Sequence, residues 1–393
     1  MSKTAKVILS LIIIALISVF SFFGFIISLL SDDTLYAILI LLIYPILFIL
    51  IPMSLFYRFN KKVARIAWLS LLAVIVLSCS IYEGKKAYDR NVLRIGENNV
   101  DLNLYAPFRN DGRVALLDAP SLLKLETDLP RLDGATALYP VYSAFAQAVY
   151  PEKKEGSENM YNLYDSEVAC NNTINAYERL INGVTDIIFV AQPSEYHLEQ
   201  ARTKGVEFDL TPIGKEAFVF FVNAKNPINN LTVDEFRKIY SGEITNWKQV
   251  GGKNESIRAF QRNENSGSQT AFRHFMKGNQ IMEPPMDNVV GGMGGIIDRT
   301  ADYANYRNSI GFSFRFYANR MVGNDGIKLL NINGIHPDVQ SIKSGTYPLA
   351  SFFYAVTLKD KDKPNVRLLL DWILSEQGQY LIEKTGYNSI ELD

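Results

Sequence analysis

The sequence predicts an α/β fold of two lobes, carried behind an all-α transmembrane region. Apolar residues crowd the first 82 positions into three long runs, and from Leu132 onward short β-branched runs alternate with amphipathic helical stretches. That later region, about 260 residues, is large for one doubly wound domain, and two lobes leave a cleft between them. The 393 residues are 48% hydrophobic with a formal net charge of -1, which excludes a disordered or strongly nucleic-acid-binding chain.

The first run, Val7 to Leu30, carries no charge and exceeds the roughly 20 residues a helix needs to cross a hydrocarbon core. Leu35 to Phe56 is similar, and Ile66 to Tyr82 is shorter but still within the spanning range. Lys3 and Lys6 precede the first span, Asp32 and Asp33 follow it, and Arg58, Lys61, Lys62 and Arg65 fill the second loop. Basic residues are retained on the cytoplasmic side, so the pattern gives a cytoplasmic N-terminus, three crossings, and everything after Tyr82 outside. The expected location is a multi-pass cell-membrane protein with an extracytoplasmic C-terminal domain. Val-Leu-Ser-Cys at 76–79 approximates a lipoprotein cleavage site, although Leu77 fits it poorly; a small apolar residue within a helix is the simpler reading of Cys79. Cys170 is then the only cysteine of the outer part, so no internal disulfide is expected there, and no Cys/His zinc spacing occurs.

Residues 83–130 read as a polar lead-in with one edge strand near Val114–Leu117. Beyond it, Ile187–Ala191, Phe218–Asn223 and Phe352–Leu358 read as strands, and Val141–Tyr150, Val233–Tyr240 and Val366–Ile373 as helices. This alternation argues for helix-covered, largely parallel sheets.

Three helix starts carry the candidate chemistry, because the first N–H groups of a helix lack internal acceptors and attract anions. Gly134-Ala135-Thr136-Ala137 precedes a helix beginning near Tyr139, and Asn171-Asn172-Thr173 precedes Ile174–Ile181. Either could be a plain cap. The third, Arg262-Asn263-Glu264-Asn265-Ser266-Gly267-Ser268, opens a helix through Gln269–Met276 and is more specific. Arg262 supplies a forked donor suited to tetrahedral oxyanions, Ser266 and Ser268 supply hydroxyls, and Gly267 permits close backbone approach. The loop lacks the GxxxxGK[ST] pattern of nucleotide hydrolases.

Gly242-Glu243-Ile244-Thr245-Asn246-Trp247 followed by Val250-Gly251-Gly252 resembles a signature of phosphate ABC-transporter substrate-binding proteins. In the same order stand the Gly-Ala-Thr helix start, Asp-Ile-Ile-Phe at 186–189, the Arg-x-x-x-Ser-Gly-Ser loop, and Ser309-Ile310-Gly311-Phe312. The resemblance covers roughly residues 131–393 and implies a two-lobed periplasmic-binding-protein-like fold with mixed sheets, hinged through strands near Thr211–Phe218 and Tyr347–Phe353. Lobe 1 would hold about 131–215 and 347–393, and lobe 2 about 216–346. It also implies inorganic phosphate or a similar oxyanion as ligand, bound without cofactor or metal and released to an ABC-transporter permease. Carried over residue by residue, the ligand-binding positions are Thr136, Ala137, Thr173, Arg262, Ser266, Gly267 and Ser268. Glu264 falls where the family often has an Asp that holds the arginine. The family's phosphate-facing Asp appears here as Ala191 or, with a one-residue shift, Gln192. With no carboxylate there, phosphate is expected to be preferred over sulfate less sharply than in a carboxylate-bearing site, with Gln192, Asp133 or Glu195 as substitute acceptors.

An enzyme is the rival class, but His197, His274 and His336 show no metal-pair spacing, and no GxSxG elbow occurs. A third reading is a membrane-anchored phosphate sensor or surface-interaction protein without a permease, which gene neighbourhood would separate from transport.

Overall fold

The computed structural model describes residues 3–30, 34–56, 61–91, 94–95, 101–152, 161–262, 264–283, 303–321, 326–361 and 363–391. Asp32, Asp33, Arg58 and Asn263 lie outside them. Three helices open the chain: α1 (Lys3–Leu30), α2 (Thr34–Phe56) and α3 (Lys61–Asn91). Among the described residues Thr4–Ile26 and Trp68–Tyr88, 23 and 21 residues, are long and apolar enough to cross a membrane, while α2 contributes the shorter apolar stretch Ile38–Ile49. α3 runs past Tyr82 to Asn91. Its polar end is rich in good helix formers, so the charges close the apolar stretch without breaking the hydrogen-bond ladder. Ser18 Oγ lies 2.8 Å from the Tyr44 hydroxyl, joining α1 to α2, and the Tyr36 hydroxyl donates to Glu83 at 2.6 Å, joining α2 to α3.

The remainder packs into a separate unit. Its strands are β1 (Arg94–Ile95), β2 (Leu132–Gly134), β3 (Ile187–Val190), β4 (Phe208–Asn223), β5 (Asn230–Leu231), β6 (Arg258–Ala259), β7 (Tyr303–Ala304), β8 (Ser309–Phe314), β9 (Ile327–Leu329), β10 (Asn331–Ile332) and β11 (Ala350–Leu358). Its helices are α4 (Tyr139–Val149), α5 (Asn172–Ile181), α6 (Glu195–Thr203), α7 (Val233–Ser241), α8 (Gly267–Met276), α9 (Val339–Lys343), α10 (Pro364–Ile373) and α11 (Glu376–Thr385). The main sheet runs β2-β3-β11-β4-β8-β6, with β9 also on β4. It is two sheets sharing one strand: β4 pairs with β11 from Phe208 to Ala217 and with β8 from Phe218 to Val222.

Only β2 with β3 and β6 with β8 are parallel within that sheet; β11 and β4 run against their neighbours. The sheets are therefore mixed, not largely parallel, because β4, the one strand they share, runs antiparallel to β11 in the first and to β8 in the second. β4 is longer than the sequence-read Phe218–Asn223. Pro212 lacks a ladder donor, but the register skips Ile213 opposite Phe353 and Tyr354, and this bulge accommodates the proline. Gly214 is required beside it, since an added Cβ would stand 2.3 Å from the Phe353 ring.

Each lobe has an aromatic core. In the first, Tyr142 stacks on Phe189 at 4.9 Å and Phe145 meets Trp372 edge-on at 6.1 Å. The second stacks Phe220 on Phe236 at 4.2 Å and Phe272 on Phe312 at 4.4 Å. Such rings bury about 1.5–3 kcal/mol each in transfer terms, which fixes the helix starts that surround the cleft. Val114–Leu117 forms no strand. Val114, Ala115 and Leu117 instead lie against the first core as irregular chain, where side-chain burial rather than sheet pairing holds them.

Candidate anion site

Each helix start is built locally before the fold brings it to the cleft. Thr136–Leu138 forms a single 3-10 turn leading directly into α4, whose Pro140 suits a first turn with no acceptor for its N–H. α5 opens at Asn172, which adopts a left-handed φ of 63° and accepts the N–H groups of Ile174 and Asn175 on its own Oδ1. α8 is capped by Ser266, whose Oγ accepts from the Gln269 N–H at 3.3 Å. A cap accepts through its oxygen and keeps its O–H proton for another partner.

These three starts line one cleft of about 100 Å³, bounded by Ala135, Thr136, Ala137, Asn172, Thr173, Ile174, Arg262, Ser266, Gly267, Ser268, Ser313, Phe314 and Tyr317. A single water needs roughly 10–15 Å³ by the same measure, so the cleft suits a small anion or several waters. All seven residues put forward as ligand-binding are there. Arg262 is the one formal charge among these described residues, half-buried, with its backbone N–H donating to Gln269 Oε1 at 3.0 Å. The lobes approach closely: a Cβ on Gly267 would lie 3.2 Å from Thr173 Oγ1. Outside the cleft, Ser194 Oγ donates to Asn265 Oδ1 at 3.2 Å, tying the cap of α6 to the loop before α8.

The carboxylates fall differently from expectation. Glu264 forks onto Arg273 of α8, at 2.9 and 2.6 Å, so it anchors its own helix rather than Arg262. The pair is nine positions apart, and nearly two turns of α8 bring Arg273 back beside the loop; Arg262 precedes the helix and lines the cleft. Gln192 and Ala191 do not line the cleft. They border a second chamber of about 370 Å³, with Arg237, His274 and Lys277, and the Gln192 amide reaches the Tyr354 hydroxyl at 3.4 Å. Asp133 cannot swing in: it is fully buried, 2.9 Å from Arg179 Nε, and accepts from Gly134 N, Asn171 N and Asn171 Nδ2 at 2.8 Å each. Thus it positions the first two helix starts from beneath. Glu195 is exposed on the first turn of α6.

Cleft residues outside the expected ligand set are Ala135, Asn172, Ile174, Ser313, Phe314 and Tyr317. Asn172 carried a signal in the Asn171-Asn172-Thr173 cap, whereas Ser313 and Tyr317 follow the Ser309–Phe312 segment with none. Burial pushes the nearby Cys170 thiol up to about 12, so it stays protonated beside Tyr142 and Thr136. Among the described residues no cluster of three or more His, Cys, Asp or Glu could hold a metal.

The PBP superfamily domain matches residues 127–377. The chain belongs to the PBP superfamily. A phosphate-binding protein PstS of Borreliella burgdorferi is 24% identical over 266 residues, covering 66% of this chain and 89% of that protein. Protein SphX of Synechococcus elongatus is 27% identical over 272 residues, covering 65% and 75%. Among solved structures, a putative phosphate ABC transporter substrate-binding protein with bound phosphate from Clostridium perfringens matches at 19% identity and a TM-score of 0.47, covering 66% of this chain and 98% of that one.

In this PBP-superfamily chain the histidines stand apart from the cleft. His197 is buried, accepts the Ser194 N–H on Nδ1 and stacks on Tyr177 at 4.2 Å, completing the α6 cap. His336 Nδ1 lies 2.9 Å from Asn331 Oδ1, and His274 borders the second chamber.

Proposed function

We propose that this chain captures a tetrahedral oxyanion, inorganic phosphate best, in the cleft at the starts of α4, α5 and α8, outside a membrane to which its N-terminal helices tether it. It then delivers that anion to an ABC-transporter permease. One observation carries the reading: Thr136, Ala137, Thr173, Ser266, Gly267 and Ser268 converge with Arg262 on one small cleft. Backbone and hydroxyl dipoles plus a single guanidinium hold an anion without a full counter-charge, which suits capture that must remain reversible. Names of relatives such as phosphate-binding protein PstS support the choice of ligand.

Titration of the full-length chain in detergent with inorganic phosphate tests this, and the expected result is saturable one-to-one binding. No binding of phosphate or any other oxyanion would overturn it. Protease added to intact cells should digest the region after α3; survival until the membrane is permeabilised would reverse the proposed orientation.

The tether favours a second reading, in which occupancy is reported through the membrane. Deleting the gene should abolish high-affinity phosphate uptake if the chain feeds a permease, and should leave uptake intact if it senses.

A further inference from the structure

Behind the anion cleft lies a buried carboxyl that neither the cap geometry nor the clamp uses. Glu216 is 4% exposed on β4, at the step before that strand passes from β11 to β8. Its two oxygens accept from Ala217 N at 2.8 Å and from Phe316 N at 3.2 Å, the latter on the segment following β8. Glu216 also borders a small annex of about 20 Å³ whose wall includes Ala135, Ala137, Gly267 and Phe314, four of the residues that bound the cleft. That volume holds one water. Ala191 also lines the annex, beside Ser351 and Tyr387, and its small methyl group occupies little of this space.

We infer that Glu216 decides which oxyanions the cleft accepts. An anion carrying a proton shares it with the carboxylate across the annex, and one without a proton is held only when Glu216 is itself protonated. This rests on the proposed anion cleft. Two like charges on either side of so small a space repel strongly, because the interior screens them far less than water does.

The groups facing Glu216 leave it able to switch near neutrality. Arg315 approaches from the segment after β8 and Tyr387 from the C-terminal segment, while Lys215, its neighbour on β4, lies over the Phe352 ring. β11 brings Ser351 opposite it, which does not titrate. Burial outweighs the backbone hydrogen bonds and Arg315, raising the carboxyl to about 7.

Sulfate is the clean probe, since it carries no titrating proton between pH 6 and 9. In calorimetric titrations of the full-length chain, sulfate affinity should fall about tenfold per pH unit above 7, with uptake of close to one proton per anion at pH 8, read from buffers of different ionisation enthalpy. Phosphate should bind throughout. Glu216→Gln should flatten the sulfate profile and narrow the preference for phosphate, and Glu216→Asp should keep a slope. The proton count needs only the wild-type chain, so it decides the matter even if Glu216→Gln does not fold. Sulfate binding with a flat profile and no proton uptake overturns the inference and leaves the anion cleft standing; absence of binding by both anions overturns both.

Discussion

Replacing Arg262 by alanine removes the one formal charge among the described cleft residues, along with up to two forked hydrogen bonds that it would make to the proposed anion. Hydrogen bonds to charged groups contribute about 1.5–3 kcal/mol each, and 1.4 kcal/mol is tenfold in affinity, so one lost bond predicts roughly 10- to 150-fold weaker phosphate binding. The fold should tolerate the change. Arg262 sits in a loop, and its backbone bond to Gln269 survives truncation of the side chain. Arg262→Lys keeps the charge but loses the fork, so an intermediate loss is expected. Arg273→Ala is the control, since that side chain is more than half exposed and pairs with Glu264 on the outer side of α8. It removes comparable charge and should leave the dissociation constant within about twofold, because exposed pairs contribute roughly 0–1 kcal/mol and act here on the scaffold. Isothermal titration with phosphate at fixed salt reads all three. An unchanged constant for Arg262→Ala, or equal losses for Arg262→Ala and Arg273→Ala, would refute the assignment of Arg262 to the ligand.

Further outcomes follow from single groups. Ser266→Ala should lower both phosphate affinity, by less than Arg262→Ala, and thermal stability by about 0.5–2 kcal/mol, since Ser266 is also the α8 cap; Thr136→Val, which caps nothing, should lower affinity alone. Burial lowers His197 from 6.5 to about 4, so the stability it preserves above pH 6.5 should be lost as pH falls towards 4, by about 3 kcal/mol in denaturant melts, and His197→Gln should lose that step. Glu216 shifts the opposite way in pH: raised from 4.5 to about 7, it favours the fold fully below 4.5 and loses about 3 kcal/mol as pH rises through 7, a step Glu216→Gln should remove. The two steps oppose each other between pH 4.5 and 6.5, so only the single variants separate them.

Much of the fold was legible because burial follows local pattern. The apolar runs of α1 and α3 announce themselves by length alone, and α7 begins where Thr232 and Glu235 form a reciprocal cap and ends at Gly242 in a left-handed conformation. The residue pattern gave β4 only from Phe218, since Pro212 and Gly214 disfavour a strand, and it was the family resemblance that placed a hinge strand near Thr211–Phe218. Only the distant Phe353 explains both, with the bulge opposite it relieving the proline and its ring covering the glycine. The lead-in misled for a related reason. Val114 to Leu117 has strand-forming residues, yet the adjacent surface offers a core to cover and not a strand edge to pair with.

The site divides along the same line. Thr136, Thr173 and Ser266 were readable because a helix start needs a hydroxyl or small residue within a few positions, so the signal is local. Carboxylate roles are set by partners far apart in sequence, and there the sequence failed. Glu264 stands two residues from Arg262 but pairs with Arg273, and Asp133 spends its lone pairs on Asn171, Gly134 and Arg179. Glu216 looks like an ordinary polar position in an alternating strand. Its proposed role depends on β4 crossing between lobes, which brings Phe316, 100 residues later, to bond it and Ala135, Ala137 and Gly267 to line the same annex. A hinge strand shared by both sheets cannot avoid passing behind the cleft, so an ionisable group there feels any charge that enters. On the proposed reading, the dipoles and the Arg262 guanidinium in front attract every tetrahedral anion alike, so discrimination falls to a group whose charge depends on the proton the anion brings.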